Sequence, residues 1–263
     1  MRFTKMHGLG NDYIYLYCPD TVPADLPALA RRLSDRHFGI GSDGLILILP
    51  ATKADFRMQM FNADGSEGMM CGNGIRCVGK YVYDYGLTDR TELRIETASG
   101  VKGIILTVFE KAVTAVTVDM GEVTLQAPIS VRHDGKEFTF TPASIGNPHL
   151  VCFVSDVSTA PVDSLGSLLQ RDDRFPGGIN VEFLQIHRLD HAQMRVYERG
   201  SGETLACGTG ACAAFAVAEA QGLLQKQATL ALLGGELSLA RNLNGRIQMT
   251  GNAITVFEGD IPI

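Results

Sequence analysis

The spacing of apolar and polar residues changes along the chain in an ordered way. Residues 2–6 and 13–17 are short apolar-rich runs flanking Gly8-Leu9-Gly10-Asn11, which predicts a strand pair with Asn11 on its tight turn. Between 27 and 37 the apolar Leu29, Ala30 and Leu33 fall among charges, the pattern of an amphipathic helix, and Gly39 stops it. Strands are expected at 45–49 and 56–61, the second alternating Phe56, Met58 and Met60 with Arg57 and Gln59. Ile75, Val78, Val82 and Tyr85 mark one face of a helix that Gly86 ends. Three more strands follow at 92–97, 104–109 and 113–118.

The same order then returns. Strands are expected at 138–141 and 149–154, a helix at 162–170, and strands at 181–186 and 193–197. The next helix, 211–218, is apolar on every side and is therefore expected at the buried centre of its half. Strands at 229–233, 236–240, 246–249 and 254–257 would close a sheet around it.

This return is a true repeat, because individual residues recur with a fixed offset of 136 positions. Cys71-Gly72-Asn73-Gly74 falls on Cys207-Gly208-Thr209-Gly210, Gly10-Asn11 on Gly146-Asn147, Phe61-Asn62 on Tyr197-Glu198, and Glu67 on Glu203. With one residue inserted, the run from Phe38 to Asp43 falls on that from Phe175 to Asn180. Many strands with two helices per copy indicate an α+β fold of two pseudo-symmetric halves. Each half is expected to be a strongly bent sheet or barrel around a central helix, with the active site in the cleft between them. Residues 1–120 would form the first half and 121–263 the second, although the last strand could cross back to the first.

The chemistry sits where the repeat is tightest. Cys71 and Cys207 each open a helix, where the first amides lack intrahelical partners and the dipole is positive. A thiol there is expected to shift towards thiolate, with room for an anion beside it. The glycines keep side chains away from those amides. Asn11, Asn62, Asn147 and Asn180 attach to the same places in the repeat, and so does the pair Glu198-Arg199, whose adjacent charges suit an ammonium and a carboxylate together. His149, after Asn147-Pro148, either orients that turn or joins in proton transfer.

Composition narrows the class. A chain of 263 residues with 45% hydrophobic content can bury two modest cores, and a net charge of −6 argues against nucleic acid or an anionic membrane as partner. The start of the chain does not read as a signal peptide and no stretch reads as a membrane span, so a cytoplasmic location is expected. Six cysteines are too sparse for a disulfide scaffold. Cys71 and Cys77 stand six apart and no C-x-x-C occurs, so no metal site is expected. Cys18, Cys152 and Cys212 lie in apolar settings as core residues.

The motifs G-L-G-N-D-Y at 8–13, F-N-A-D-G-S-E at 61–67, C-G-N-G-I-R-C at 71–77, G-N-P-H at 146–149, Y-E-R-G at 197–200 and C-G-T-G at 207–210 resemble those of the diaminopimelate epimerases, in order and over nearly the whole chain. The resemblance implies interconversion of LL- and meso-2,6-diaminoheptanedioate without a cofactor, in lysine and peptidoglycan synthesis, by an enzyme that is often a homodimer. It implies Cys71 and Cys207 as the acid/base pair, assisted by His149 and Glu198. Substrate would be held by Asn11, Asn62, Asn147, Asn180, Glu198, Arg199 and the amides of Gly72, Asn73, Gly208 and Thr209. Where many members carry a glutamine that helps bind substrate, this chain has Gly44. The alternatives are a proline-racemase-like two-cysteine enzyme and a thiol-based zinc or redox module. A small cyclic substrate would not require Arg199 with four asparagines.

Overall fold

A computed structural model of the chain describes residues 1–262. Two compact units emerge: Met1–Asp119 with Gly251–Ile263, and Met120–Thr250.

The first unit begins with β1 (Arg2–Gly8) and β2 (Asn11–Tyr17), an antiparallel hairpin. Leu9 and Gly10 both have positive φ, 57° and 83°, as a two-residue hairpin turn demands, and this places Asn11 at the head of β2. Helix α1 (Leu26–Ser34) carries the chain to β3 (Gly44–Leu49), which lies parallel to β2. The helix stops short of its expected end, because the Asp35 carboxylate accepts the amides of His37 and Phe38 and turns the chain. Next come β4 (Phe56–Asn62), antiparallel to β3, and the two-residue β5 (Glu67–Gly68). Helix α2 (Gly72–Asp84) then crosses to β6 (Glu92–Thr97), parallel to β4, and β7 (Gly100–Phe109) and β8 (Ala112–Gly121) complete an antiparallel meander.

The second unit adds β9 (Thr124–Leu125) and β10 (Ile129–His133) and then retraces this path. Its elements are β11 (Lys136–Ser144), β12 (Pro148–Phe153), α3 (Val162–Leu169), β13 (Asn180–Arg188), β14 (His191–Glu198), β15 (Gly202–Glu203), α4 (Gly208–Ala220), β16 (Gln227–Leu232), β17 (Gly235–Arg241) and β18 (Ile247–Gly251). Every pairing from β11 to β18 copies that from β1 to β8, including the parallel pairs β12/β13 and β14/β16. From β2 to β5 the strand register keeps the offset at 136, since Tyr13 faces Gly44 as His149 faces Asn180. The counterpart of Asn180 is therefore Gly44 and not Asp43. Pairing register is pinned by which side chains are buried, and loop likeness yields to it.

The first strand of each unit has a further antiparallel neighbour, but its origin differs. In the second unit β10 precedes β11 and pairs with it; in the first, β1 pairs with β19 (Ile254–Asp260), delivered by the far end of the chain. Residues 251–263 thus group with the first unit.

Alternation along the strands gives each sheet two apolar faces. In the first unit Ile14, Leu16, Leu45, Leu47 and Leu49 pack with Leu29, Ala30 and Leu33 of α1. The intervening residues turn to α2: Tyr15 donates to the carbonyl of Gly74, and Ile46 and Met58 approach Gly74 closely. In the second unit Leu150, Cys152, Val181 and Phe183 pack with Val162, Leu165 and Leu169 of α3. By the same alternation His149, Glu182 and Leu184 face α4, and Gly210 lies against Glu182. As expected from its composition, α4 is buried from Gly210 to Ala218, with small residues that let strands approach on all sides.

Candidate active site

Each thiol is the N-cap of its helix. Cys71 has extended backbone (φ −127°, ψ 118°) and its Sγ accepts the Gly74 amide at 3.3 Å; Cys207 (φ −115°, ψ 109°) accepts the Gly210 amide at 3.4 Å. The sulfur replaces the oxygen of the usual capping side chain, so each helix start fixes its thiol in space.

Cys71 meets the side-chain amides of Asn11 and Asn73. Its thiol donates to Asn11 Oδ1 at 3.2 Å, and Asn73 Nδ2 reaches the same oxygen at 3.4 Å. The Asn11 amide is oriented from behind, since its Nδ2 donates to Asp43 Oδ2 at 2.8 Å. Asp43 in turn joins Asp12 and Arg36 in an ion cluster that Lys5 completes, with Lys5 Nζ 2.7 Å from Asp12 Oδ2. Burial, and then the neighbouring Asp12 charge, push Asp43 above the usual carboxylate range. Burial also raises Asp12, but hydrogen bonds from Lys5 and Arg36 outweigh it and hold that carboxyl below its ordinary value. The Tyr13 ring lies beside the thiol, and burial, then the Cys71 and Asp43 charges, lift its hydroxyl well above 10. Fully buried Arg76 clamps the first turn of α2, donating to the Gly72 carbonyl and, at 3.0 Å, to Asn73 Oδ1.

Asn62 ends β4 and is held in its own turn, donating from Nδ2 to Ser66 Oγ at 2.9 Å. Gly44 is opposite it across the β3/β4 pair. A Cβ on Gly44 would meet the Phe61 carbonyl at 2.1 Å and the Tyr13 ring at 2.8 Å, so the backbone here excludes any side chain.

Around Cys207 the neighbours are ionisable. Glu198 ends β14, accepts from Thr204 Oγ1 at 2.5 Å and makes a hydrogen bond with Cys207. Its hairpin is stiffened by Arg195 gripping Glu203 through two bonds of 2.6 and 2.8 Å; Gln59 and Glu67 are the first-unit equivalents, at 2.8 Å. Burial raises Glu198 above the ordinary glutamate value. Asn147 Nδ2 donates to Thr209 Oγ1 at 3.2 Å, and that hydroxyl lies 3.5 Å from Cys207 Sγ. His149 is fully buried between Asn147 Oδ1 (Nε2, 3.1 Å) and Glu182 Oε1 (Nδ1, 2.7 Å). Buried Asn180 donates to the Pro148 carbonyl and accepts the Arg199 amide at 3.0 Å, which fixes the backbone that presents the exposed Arg199 side chain.

The expected drift towards thiolate does not occur at Cys207. Burial first, then the charges of Glu198 and Glu182, push this thiol well above 9, against hydrogen bonds from Thr209 and the Gly210 amide that favour the anion. A capping amide contributes less than the loss of water around a charge.

Within the first unit, then, Asn11, Asn73 and Cys71 meet at one helix start, with Gly72 forming its first turn. Within the second, Asn147, His149, Glu198 and Thr209 meet at Cys207, while Asn180 supports Arg199. Sequence reasoning missed Tyr13, Asp43 and Glu182. Tyr13 was legible as the repeat counterpart of His149, and Glu182 as an acid inside the apolar run Val181-Glu182-Phe183-Leu184 where the first copy has Leu45-Ile46-Leu47-Ile48.

Among the described residues no group of three His, Cys, Asp or Glu side chains is placed to hold a metal, and no helix is long and apolar enough to cross a membrane.

The chain shares its fold with a class of two-unit α+β proteins that includes racemases and epimerases. It superposes on a Bacillus anthracis phenazine biosynthesis protein of the PhzF family with a TM-score of 0.79 at 17% identity, covering 100% of this chain and 99% of that one. A probable proline racemase from Agrobacterium radiobacter K84 gives 0.76 at 16%, covering 100% and 93%. Sequence is more specific: the model of the family described as diaminopimelate epimerase matches residues 3–126 and 141–256, and the Acetivibrio thermocellus diaminopimelate epimerase is 48% identical over 100% of this chain and 99% of its own. The chain belongs to the diaminopimelate epimerase family.

Proposed function

We propose that the protein interconverts LL- and meso-2,6-diaminoheptanedioate, with Cys71 and Cys207 exchanging the α-proton and no cofactor taking part. As a member of its family it is an isomerase, and lysine biosynthesis is the pathway that family membership implies. A cytoplasmic, homodimeric enzyme that also feeds peptidoglycan synthesis is the setting that suits this reading.

The observation that carries the mechanism is the duplication of one thiol-capped helix start, complete with its asparagine. Inversion at carbon needs a base for one face and an acid for the other. One cysteine, as thiolate, takes the α-proton and becomes a thiol. The other thiol delivers its proton to the opposite face and is left as thiolate, so the protein ends one proton exchange from where it began. Cys207, held protonated by burial and two carboxylates, starts as the acid. As a thiol, Cys207 donates to the Glu198 carboxylate; once it is a thiolate, Glu198, whose affinity for a proton is raised by burial, takes one up from solvent and passes it to the sulfur. Negative charge that develops on the substrate carboxylate is met by the amides of Gly72, Asn73, Gly208 and Thr209. The distal amino-acid head falls to Arg199, Glu198, Asn62 and Asn180.

The test is incubation of the purified protein with LL-2,6-diaminoheptanedioate in deuterium oxide. Meso product carrying one deuteron at the inverted carbon is expected. Absence of interconversion, together with turnover of proline or hydroxyproline, would replace this reading with the proline-racemase-like one.

A further inference from the structure

The second unit contains a buried acid that neither binds substrate nor carries a proton in the proposed chemistry. Glu182 lies in the middle of the β12/β13/β14 sheet, on the face turned to α4, and is fully buried. Its Oε1 contacts His149 Nδ1 at 2.7 Å, and its Oε2 has no hydrogen-bond partner among the described residues. Burying a carboxylate with one oxygen unsatisfied is costly to the fold. The fold itself does not ask for it: Ile46 occupies the equivalent place in the first unit and makes the same close approach to a helix start, towards Gly74 as Glu182 does towards Gly210.

What Glu182 does reach is the thiol. From Glu182 Oε1 an unbroken line runs through both nitrogens of His149, the Asn147 amide and the Thr209 hydroxyl to Cys207 Sγ, with steps of 2.7, 3.1, 3.2 and 3.5 Å. A histidine flanked this way takes its ring orientation and its Nδ1 proton from the carboxylate.

We propose that Glu182 is a positioning residue for the epimerase reaction, keeping a proton on His149 Nδ1 and, through Asn147 and Thr209, setting the orientation and proton affinity of Cys207. The inference rests on the epimerase reading. The titratable groups facing Glu182 are His149 from β12, Glu198 from β14 and Cys207 at the start of α4. The Glu182 charge is among those that disfavour the Cys207 thiolate. It also helps to raise Glu198.

Two variants separate positioning from packing. Glu182→Ile installs the first-unit residue, and Glu182→Gln keeps the shape without the charge. Both are expected to melt at or above the wild-type temperature and to lose at least about tenfold in kcat, less than the roughly 10²-fold or more of a group that itself transfers the proton, with KM changed far less. The pH at which Cys207 becomes reactive to iodoacetamide should move down in both, because a repelling charge has gone. A fall in melting temperature with wild-type kcat and an unmoved alkylation curve would reduce Glu182 to a packing residue and overturn the proposal. Should neither variant fold, nitrogen-15 spectra of the wild-type imidazoles decide: a proton on His149 Nδ1 is expected, and a bare Nδ1 overturns the proposal. The spectra and the alkylation need no turnover, so an inactive wild-type protein would count against the epimerase reading alone.

Discussion

The two units share one path of strands and helices but surround their thiols with opposite chemistry. At Cys71 the repeat positions hold Asn11, Tyr13, Ile46 and Asn62; at Cys207 they hold Asn147, His149, Glu182 and Glu198. Both helix starts offer the same capping amide at nearly the same distance. Cys207 is nevertheless driven strongly towards the thiol by burial and carboxylates. A duplicated backbone therefore supplies geometry twice, while side chains at a few equivalent positions set the surroundings of each thiol. The proposed passage of a proton from one face to the other needs both the sameness and the difference.

The strongest way to break this comparison is to remove one thiol at a time. Cys71→Ala and Cys207→Ala are each expected to lower kcat by at least about 10²-fold with the fold retained, as the lower range for positioned acid/base groups suggests. Circular dichroism and the deuterium-exchange assay check this, and near-normal turnover by either variant would end the two-thiol reading.

Glu198→Gln sharpens it. Losing this carboxylate removes a charge that holds Cys207 protonated, so the alkylation curve of Cys207 should move to lower pH. Turnover should drop by roughly tenfold or more, short of the roughly 10²-fold or more expected of the thiols themselves. Asn62→Ala, at the matching place, carries no charge effect on its own thiol and should leave the alkylation curve of Cys71 where it was. An unmoved Cys207 curve in Glu198→Gln would take Glu198 out of that field.

Arg199 has no cationic counterpart, since the repeat places Ala63 there. Its guanidinium can hold a carboxylate through two parallel bonds that lysine cannot copy. Arg199→Lys is expected to raise KM by about tenfold, the equivalent of one charge-assisted hydrogen bond of about 1.5 kcal/mol, and to erode discrimination against a substrate lacking the distal carboxylate. Kinetics unchanged from wild type for both compounds would place Arg199 outside substrate reach.

The smallest expected effect on chemistry is at Gly44. Glutamine there must push against the Phe61 carbonyl and the Tyr13 ring, a cost of about 1–3 kcal/mol as for other overpacked sites. Gly44→Gln should therefore melt lower by calorimetry without gaining affinity for substrate. A tighter-binding variant of unchanged stability would show that this backbone yields readily.

Much of the fold was legible because its signals are local. Alternation marked most strands within a few residues, and the apolar helix after Cys207 declared its own burial. Shorter pieces escaped: β5, β9 and β15 have two residues each, and β10 follows Pro128 with only a brief alternation. At the site, the two cysteines, the asparagines and Glu198 stood out because the repeat singled them out twice. Tyr13 and Glu182 did not, since one is an unlike counterpart of a histidine and the other hides in an apolar run.

The sequence by itself determined the duplication, the α+β class and the two thiol-capped helix starts, because glycine spacing, capping and periodicity act over a few residues. Tertiary structure alone decided three other matters. It brought β19 to β1, the place that β10 takes beside β11, across almost the full length of the chain. It fixed the register that sets Gly44 opposite Asn62 and aims Glu182 at His149. And it buried Cys207 among carboxylates, where desolvation overrides the pull of a helix start. Each depends on residues far apart in the chain meeting at a defined distance, and proton affinity in a buried site is set by those neighbours.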